Sequence, residues 1–136
     1  MSLPAVACPE PVAHGSRPVL VVEDDAGLRS LIERSLSEEG FDVAEASTGA
    51  DAIRLLSGAI PEVILMDVGL PDTNGFELCR AVRAAGITSP VLFVTARDSV
   101  ADVASGLAAG GDGYLTKPFG IGELLECVDA LIHRRV

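Results

Sequence analysis

The chain contains no tryptophan, one tyrosine (Tyr114) and one lysine (Lys117), and its nine other cationic side chains are all arginines. Three cysteines, an odd number, are too few for a disulfide framework. Cys79 and Cys127 fall in apolar helical patterns, which predicts buried free thiols in a reducing, cytoplasmic setting. No apolar run approaches the roughly 20 residues that cross a bilayer. The N-terminus also lacks the basic start and apolar segment of a signal peptide, so we expect no membrane association.

Positive charge is scarce overall. Twenty acidic residues against ten basic ones give a formal net charge of -10. Binding to the phosphates of nucleic acid requires clustered cations, so we do not expect this segment to bind nucleic acid directly. A small cationic ligand or a basic protein surface is a better match for such a charge. The apolar fraction of 49% is enough for one buried core in a chain of 136 residues.

The chain divides into a short leader and one domain. Residues 1–17 hold three of the eight prolines and show no periodicity, which predicts a flexible leader, whereas residues 18–136 alternate between two patterns. Short apolar runs predict strands at 18–23, 41–46, 62–67, 90–96 and 112–116. Amphipathic stretches predict helices at 26–39, 48–57, 74–85, 98–109 and 123–135. This alternation predicts an α/β domain with a parallel sheet covered by helices on both faces.

Polar side chains follow four of the predicted strands. The first strand ends in Glu23 and Asp24, the third in Asp67 and the fourth in Thr95, while Lys117 follows the fifth. Because the carboxyl ends of parallel strands share one edge of a sheet, we expect these groups to meet there. Carboxylates without histidine or cysteine are typical ligands of magnesium, which often also binds a phosphate. A compact ammonium and a hydroxyl suit two of the phosphoryl oxygens, so Lys117 is predicted to be a catalytic or phosphate-sensing cation.

Four blocks of sequence, in their order and spacing, resemble the receiver domain of two-component response regulators: VLVVEDD, ILMDVGLPDTNGFEL, PVLFVTA and GYLTKPF. The resemblance covers about residues 18–135, and its C-terminal part is most similar to OmpR-type regulators. It implies a flavodoxin-like (βα)5 fold, a doubly wound parallel sheet with strand order 2-1-3-4-5. It also implies a sensor histidine kinase as partner and transcription control through a DNA-binding domain outside this chain.

The resemblance assigns roles to particular residues. Asp67 would be the phosphoacceptor, receiving a phosphoryl group from a histidine of the kinase. Mg²⁺ would be bound by Asp24 directly, by Glu23 mainly through a bound water, by Asp67, and by the backbone carbonyl of Gly69.

The same resemblance implies a switch. Thr95 would move toward the phosphoryl group together with Lys117, and Tyr114 would turn inward behind it. Gly69 and Arg97 stand where relatives vary, and we predict that they tune dephosphorylation, Gly69 by leaving water access to the phosphoryl group and Arg97 by shielding or binding it.

Homodimerisation on phosphorylation through the face from the fourth to the fifth helix is left open by the sequence. OmpR-type regulators commonly pair charges across that face. Here the corresponding positions are uncharged, namely Val103, Ala104, Gly113 and Cys127.

Other functions fit the sequence less well. A phosphohydrolase of the haloacid-dehalogenase kind would need a second aspartate two residues after Asp67, where Gly69 stands. A flavin- or nucleotide-binding module would need a phosphate-cradling loop after the first strand, where Glu23 and Asp24 would repel the phosphate. A stand-alone receiver acting by protein contacts and a pseudo-receiver that is not phosphorylated remain as alternatives. The sequence therefore predicts a phosphoacceptor switch that is not a turnover enzyme.

Overall fold

Five strands alternate with five helices in the computed structural model, which describes residues 17–134. The strands are β1 (Pro18–Val22), β2 (Asp42–Ala46), β3 (Val63–Met66), β4 (Val91–Thr95) and β5 (Gly113–Thr116). The helices are α1 (Ala26–Glu38), α2 (Gly49–Leu56), α3 (Gly75–Ala84), α4 (Val100–Ala108) and α5 (Ile121–Arg134). All ten predicted elements are therefore present.

The strands form one parallel sheet in the order β2-β1-β3-β4-β5, which confirms the predicted flavodoxin-like topology. β3 lies at the centre and its four residues are all buried. Such an uninterrupted apolar run arises because helices cover both faces of the central strands, whereas the edge strand β2 has Asp42 and Glu45 exposed.

Alternate strand residues point to opposite faces and build two apolar layers. On one face Leu20, Val22 and Phe93 pack with buried residues of α2 and α3. On the other face Val21 and Leu65 pack with buried residues of α1 and α5. The two layers fix the sheet between its helices, so the carboxyl ends of β1, β3, β4 and β5 share one rim.

Side-chain caps begin four of the helices. Asp25, Thr48, Asn74 and Ser99 each accept a backbone N–H from the first turn of α1, α2, α3 and α4, respectively. An N-cap acceptor satisfies one of the backbone donors that a helix start leaves without a partner. These four polar residues therefore fix where α1, α2, α3 and α4 begin, after the carboxyl ends of the strands that precede them.

The last helix begins two residues earlier than predicted, at Ile121 instead of 123. Gly120 and Gly122 flank this start and make it a poor N-terminus, because glycine is costly to order. The Glu123 carboxylate accepts the N–H of Gly120 at 2.9 Å, and this bond supports the early turn.

The cysteine prediction is only partly correct. Cys79 is buried, but Cys127 is partly exposed on α5. Cys8 and the predicted leader, apart from Arg17, lie outside the described residues. Among the helices of the described part, none combines the length and the apolar character that crossing a membrane requires.

Candidate functional site

Three carboxylates cluster at the ends of the adjacent strands β1 and β3. One oxygen from each of Glu23, Asp24 and Asp67 lies within 4.8 Å of the others. The strand register produces this proximity, because the Asp67 N–H continues the ladder by donating to the carbonyl of Val22 at 3.0 Å. Glu23 and Asp67 are buried, whereas Asp24 is exposed. The cluster thus has two buried carboxylates, of Glu23 and Asp67, and one carboxylate, of Asp24, that is exposed to solvent.

The backbone N–H, the backbone carbonyl and the carboxylate of Glu23 all form hydrogen bonds. Its N–H donates to the carbonyl of Ala46 at 2.9 Å, and its own carbonyl accepts from the guanidinium of Arg29 at 2.8 Å. One carboxylate oxygen accepts the N–H of Asp25 at 3.1 Å. Desolvation raises the pKa of Glu23, although the hydrogen bonds from Lys117 and Asp25 oppose this rise.

Lys117 faces the two buried carboxylates. Its Nζ lies 2.8 Å from Asp67 Oδ2 and 2.9 Å from Glu23 Oε1. Its backbone N–H donates to the carbonyl of Thr95 at 2.8 Å, and the Lys117–Pro118 peptide bond is cis. Desolvation alone would lower the pKa of Lys117, but the hydrogen bonds to Asp67 and Glu23 outweigh it and raise the pKa.

The loop after Asp67 is tightly folded. The Gly69 N–H donates to Asp67 Oδ1 at 3.2 Å, and Gly69 forms an isolated antiparallel bridge with Asn74. Gly75 then passes so close to the strand end that a Cβ there would lie 2.3 Å from the carbonyl oxygen of Asp67. A Cβ at Gly69, in contrast, would meet no atom within 4 Å. Space is therefore open around the position that a side chain at residue 69 would occupy.

Thr95 and Tyr114 are connected through one backbone. The Thr95 hydroxyl, which is buried, accepts the N–H of Arg97 at 3.3 Å. The Tyr114 hydroxyl donates to the carbonyl of the same Arg97 at 2.7 Å. The Arg97 guanidinium forms an ion pair with Asp102 at the start of α4, at 3.0 Å. The β4–α4 loop thus joins the hydroxyl on β4 to the tyrosine on β5.

The oxygen donors fit a hard divalent cation. Three carboxylates stand against the single ammonium of Lys117, so the cluster is anionic, and the exposed Asp24 carboxylate is accessible from solvent. Magnesium takes a few carboxylate oxygens and keeps water at its other positions. Of the five residues predicted to gather at the rim, four are therefore brought together in a form that suits Mg²⁺, namely Glu23, Asp24, Asp67 and Lys117.

This rim and its sheet define a receiver domain. The family model described as "Response regulator receiver domain" matches residues 19–129, and the chain belongs to that family. The predicted resemblance to two-component receivers is confirmed.

Among individual relatives, the chain is 43% identical over 116 residues to response regulator MprA of Mycobacterium sp. (strain KMS). The match covers 85% of this chain and 50% of that protein, so the chain spans about half the length of the curated relatives it matches. Among solved structures, the receiver domain of the Francisella response regulator 1452 is 35% identical with a TM-score of 0.83, covering 88% of this chain and 99% of that one. The chemotaxis response regulator CheY4 of Vibrio cholerae is 31% identical with a TM-score of 0.81, covering 85% of this chain and 98% of that one.

Sequence reasoning missed three residues that shape the site. Arg29 binds the carbonyl of Glu23, Gly75 allows α3 to approach Asp67, and the Asp72 carboxylate accepts the N–H groups of Gly49 and Ala50 at the start of α2. Gly75 directly after the capping Asn74 was a detectable signal for a close approach. The partners of Arg29 and Asp72 belong to other elements, and no local pattern indicates them.

Proposed function

We propose that this receiver domain accepts a phosphoryl group on Asp67 from a phosphohistidine of a sensor histidine kinase. The observation that carries the proposal is the Lys117 ammonium, 2.8 Å from Asp67 and 2.9 Å from Glu23, beside the open carboxylate of Asp24. Asp67 is thus a buried nucleophile that faces one ammonium and lies beside an accessible cation-binding cluster. This arrangement suits phosphoryl transfer, because catalysis of that reaction consists mostly of positioning and charge neutralisation.

The proposed transfer forms one bond to phosphorus and breaks another. A carboxylate oxygen of Asp67 attacks phosphorus, the phosphorus–nitrogen bond breaks, and its electron pair stays with the departing imidazole. The Lys117 ammonium then pairs with one oxygen of the phosphoryl group on Asp67 and neutralises part of its charge. Mg²⁺, held by Glu23, Asp24, Asp67 and the Gly69 carbonyl, would supply further neutralisation of phosphoryl charge when bound.

The response begins at Thr95. Its hydroxyl accepts from the Arg97 N–H in this structure, and it can instead donate to a phosphoryl oxygen on Asp67. Such a move removes the acceptor of the Arg97 N–H, while the Tyr114 hydroxyl binds the carbonyl of the same residue. The proposed switch therefore transmits through Arg97 to α4 and β5. A nearly complete shift between two states needs roughly 5 kcal/mol of differential interaction.

The open space at Gly69 supports the proposed tuning of dephosphorylation, because water can approach the phosphoryl group there. Arg97 would act on the same step only after leaving its ion pair with Asp102. Substituting asparagine at Gly69 should lengthen the lifetime of the phosphorylated form, and equal lifetimes would refute this role.

We further propose an OmpR-type regulator in the cytoplasm, with residues 1–17 as a leader and 18–136 as the receiver. Its curated relatives are about twice as long, which leaves room for a DNA-binding output domain, and the net charge of -10 argues against DNA binding by this segment itself. A homodimer through the α4–α5 face would depend on apolar contacts, since Val100 and Leu107 of α4 are exposed by 88% and 58%.

The test is phosphorylation with a small donor. The protein is incubated with acetyl phosphate and Mg²⁺, and intact mass spectrometry should detect one added phosphoryl group. Asp67→Asn should abolish the adduct, whereas Asp98→Asn, at an exposed position in the β4–α4 loop, should retain it. Steady release of phosphate from many different substrates would indicate a hydrolase, and absence of any adduct would favour the pseudo-receiver. Transfer from a phosphorylated sensor kinase would then test the partner.

A further inference from the structure

We propose that Arg29 is a positioning residue that fixes the acidic turn at residues 23–25 in its cation-binding shape. The inference rests on the proposed function, because it concerns divalent-cation binding by the same site. It starts from the carbonyl of Glu23, which lies just beyond the end of β1. The partner of that carbonyl is the guanidinium of Arg29 on α1, with Nη1 at 2.8 Å.

Arg29 is itself held in place from a second direction. Its Nε lies 3.3 Å from Glu45 Oε1, and Glu45 stands opposite Val21 in the pairing of β1 with β2. The Arg29 side chain is only 21% exposed, against 41% for Glu45. A planar guanidinium with two partners has a defined orientation, which a lysine ammonium with one partner lacks. The Arg29 guanidinium therefore connects α1 with β2 and with the end of β1.

The turn is closed by two further bonds. The Asp25 N–H donates to Glu23 Oε2 at 3.1 Å, and the Asp25 carboxylate accepts the N–H of Leu28 at 3.1 Å. Glu23 and Asp25 are thus both fixed, and Asp24 between them has its carboxylate in the cluster. Because the backbone on both sides of Asp24 is set by these bonds, releasing the Glu23 carbonyl frees the segment that presents the exposed ligand.

Two effects of Arg29 on cation binding have opposite signs. Its positive charge near the cluster would weaken cation binding, whereas its orientation of the turn would strengthen it. The charge is already compensated by Glu45, so we expect orientation to dominate. Residues that orient metal ligands typically change metal affinity 10–100-fold, and a contact through the backbone belongs at the lower end. The two effects are therefore distinguished by the direction of the change in Kd.

The experiment measures Mg²⁺ binding to the unphosphorylated chain by calorimetry with MgCl₂ alone, and follows the Gly69 amide by NMR during the same titration. Arg29→Met should raise the Kd about tenfold. Arg29→Lys, which keeps the charge, should give an intermediate Kd, and Glu45→Gln should raise it by a smaller factor. The control is Arg54→Met, which removes an exposed arginine from an ion pair of the same 3.3 Å length on α2 and should leave the Kd unchanged.

The outcomes separate this inference from the proposed function. If the native chain binds no Mg²⁺, the proposed function fails and the inference fails with it. If the native chain binds Mg²⁺ and Arg29→Met binds it equally well or more tightly, only the role of Arg29 is overturned. Should Arg29→Met fold poorly in urea melts, Arg29→Lys decides instead: because this variant keeps the charge, a Kd equal to or below that of the native chain overturns the positioning role.

Discussion

An alanine at position 75 would test how closely α3 must approach the end of β3 and Asp67, which follows it. Its Cβ would lie 2.3 Å from the carbonyl oxygen of Asp67 and 2.8 Å from the Cα of Val68. Both are backbone atoms, so no side-chain rotation relieves the contact. The Gly75 N–H also donates to the Val68 carbonyl at 2.8 Å, which holds the two segments together. The first turn of α3 or the Asp67 loop must therefore move by about 1 Å to reach an ordinary contact distance.

Two opposing contributions set the expected change in the free energy of unfolding of Gly75→Ala. Overpacking of this kind typically costs about 1–3 kcal/mol, and replacing glycine by alanine within a helix returns about 0.5–1 kcal/mol. We expect Gly75→Ala to lower the free energy of unfolding by about 1–2 kcal/mol, or the Tm by roughly 4–10 °C for a domain of this size. A displacement near 1 Å at Asp67 should also slow phosphorylation by up to about 100-fold.

Gly122→Ala is the matched control, because it makes the same chemical change in α5 at a position where a Cβ would meet nothing within 4 Å. It should stabilise the chain by about 0.5–1 kcal/mol and leave the phosphorylation rate unchanged. Far-UV circular dichroism during urea and thermal unfolding gives the stabilities, and intact mass after timed exposure to acetyl phosphate gives the rates. If Gly75→Ala proved as stable as Gly122→Ala and as fast as the native chain, the reasoning from close approach would be refuted.

Three further changes have defined outcomes. Arg83→Lys should cost about 2–4 kcal/mol of unfolding free energy, because one guanidinium makes five hydrogen bonds that hold α3 to the segments preceding β4 and β5; a loss below about 0.5 kcal/mol in urea melts would contradict this. Backbone N–H groups of α2 lower the pKa of Asp72 below 3.8, so its ionised form stabilises the fold above that pH and the contribution is lost as the pH falls through the lowered pKa. Asp72→Asn should therefore be less stable than the native chain at pH 7 and approach its stability as the pH falls below 3.8, and a gap independent of pH would argue against this linkage. Thr95→Val should still form the phosphoryl adduct but lose the NMR shift of the Tyr114 amide that accompanies it, and a retained shift would exclude Thr95 from the switch.

The ten elements and the acidic cluster could be predicted from sequence because they depend on local patterns. Strands such as β3 consist of buried apolar residues, and parallel strands end at one rim, so the meeting of Glu23, Asp67 and Lys117 follows from the alternation of strands and helices. The strand order itself does not follow from periodicity, and its prediction came from the resemblance to receiver domains.

The links between elements were not predictable in the same way. Arg29 and Glu45 are 16 residues apart, and Asp72 and Gly49 are 23 apart, so their bonds depend on distances that only the packed sheet sets. The early start of α5 was missed for a related reason: a single carboxylate, from Glu123, overrides the low helix propensity of the neighbouring glycines.

Lys117 lies 94 residues from Glu23 and 50 from Asp67, and it follows the edge strand β5. A nascent chain emerging from the ribosome therefore makes both buried acids long before their counter-charge exists. Without β5, two carboxylates at the centre of the rim would repel each other in a poorly solvated place. Docking of the last strand relieves that repulsion, so the ammonium to which we assign a role in phosphoryl transfer also stabilises the completed fold. A chain truncated before Lys117 would lack this counter-charge and could not form the site.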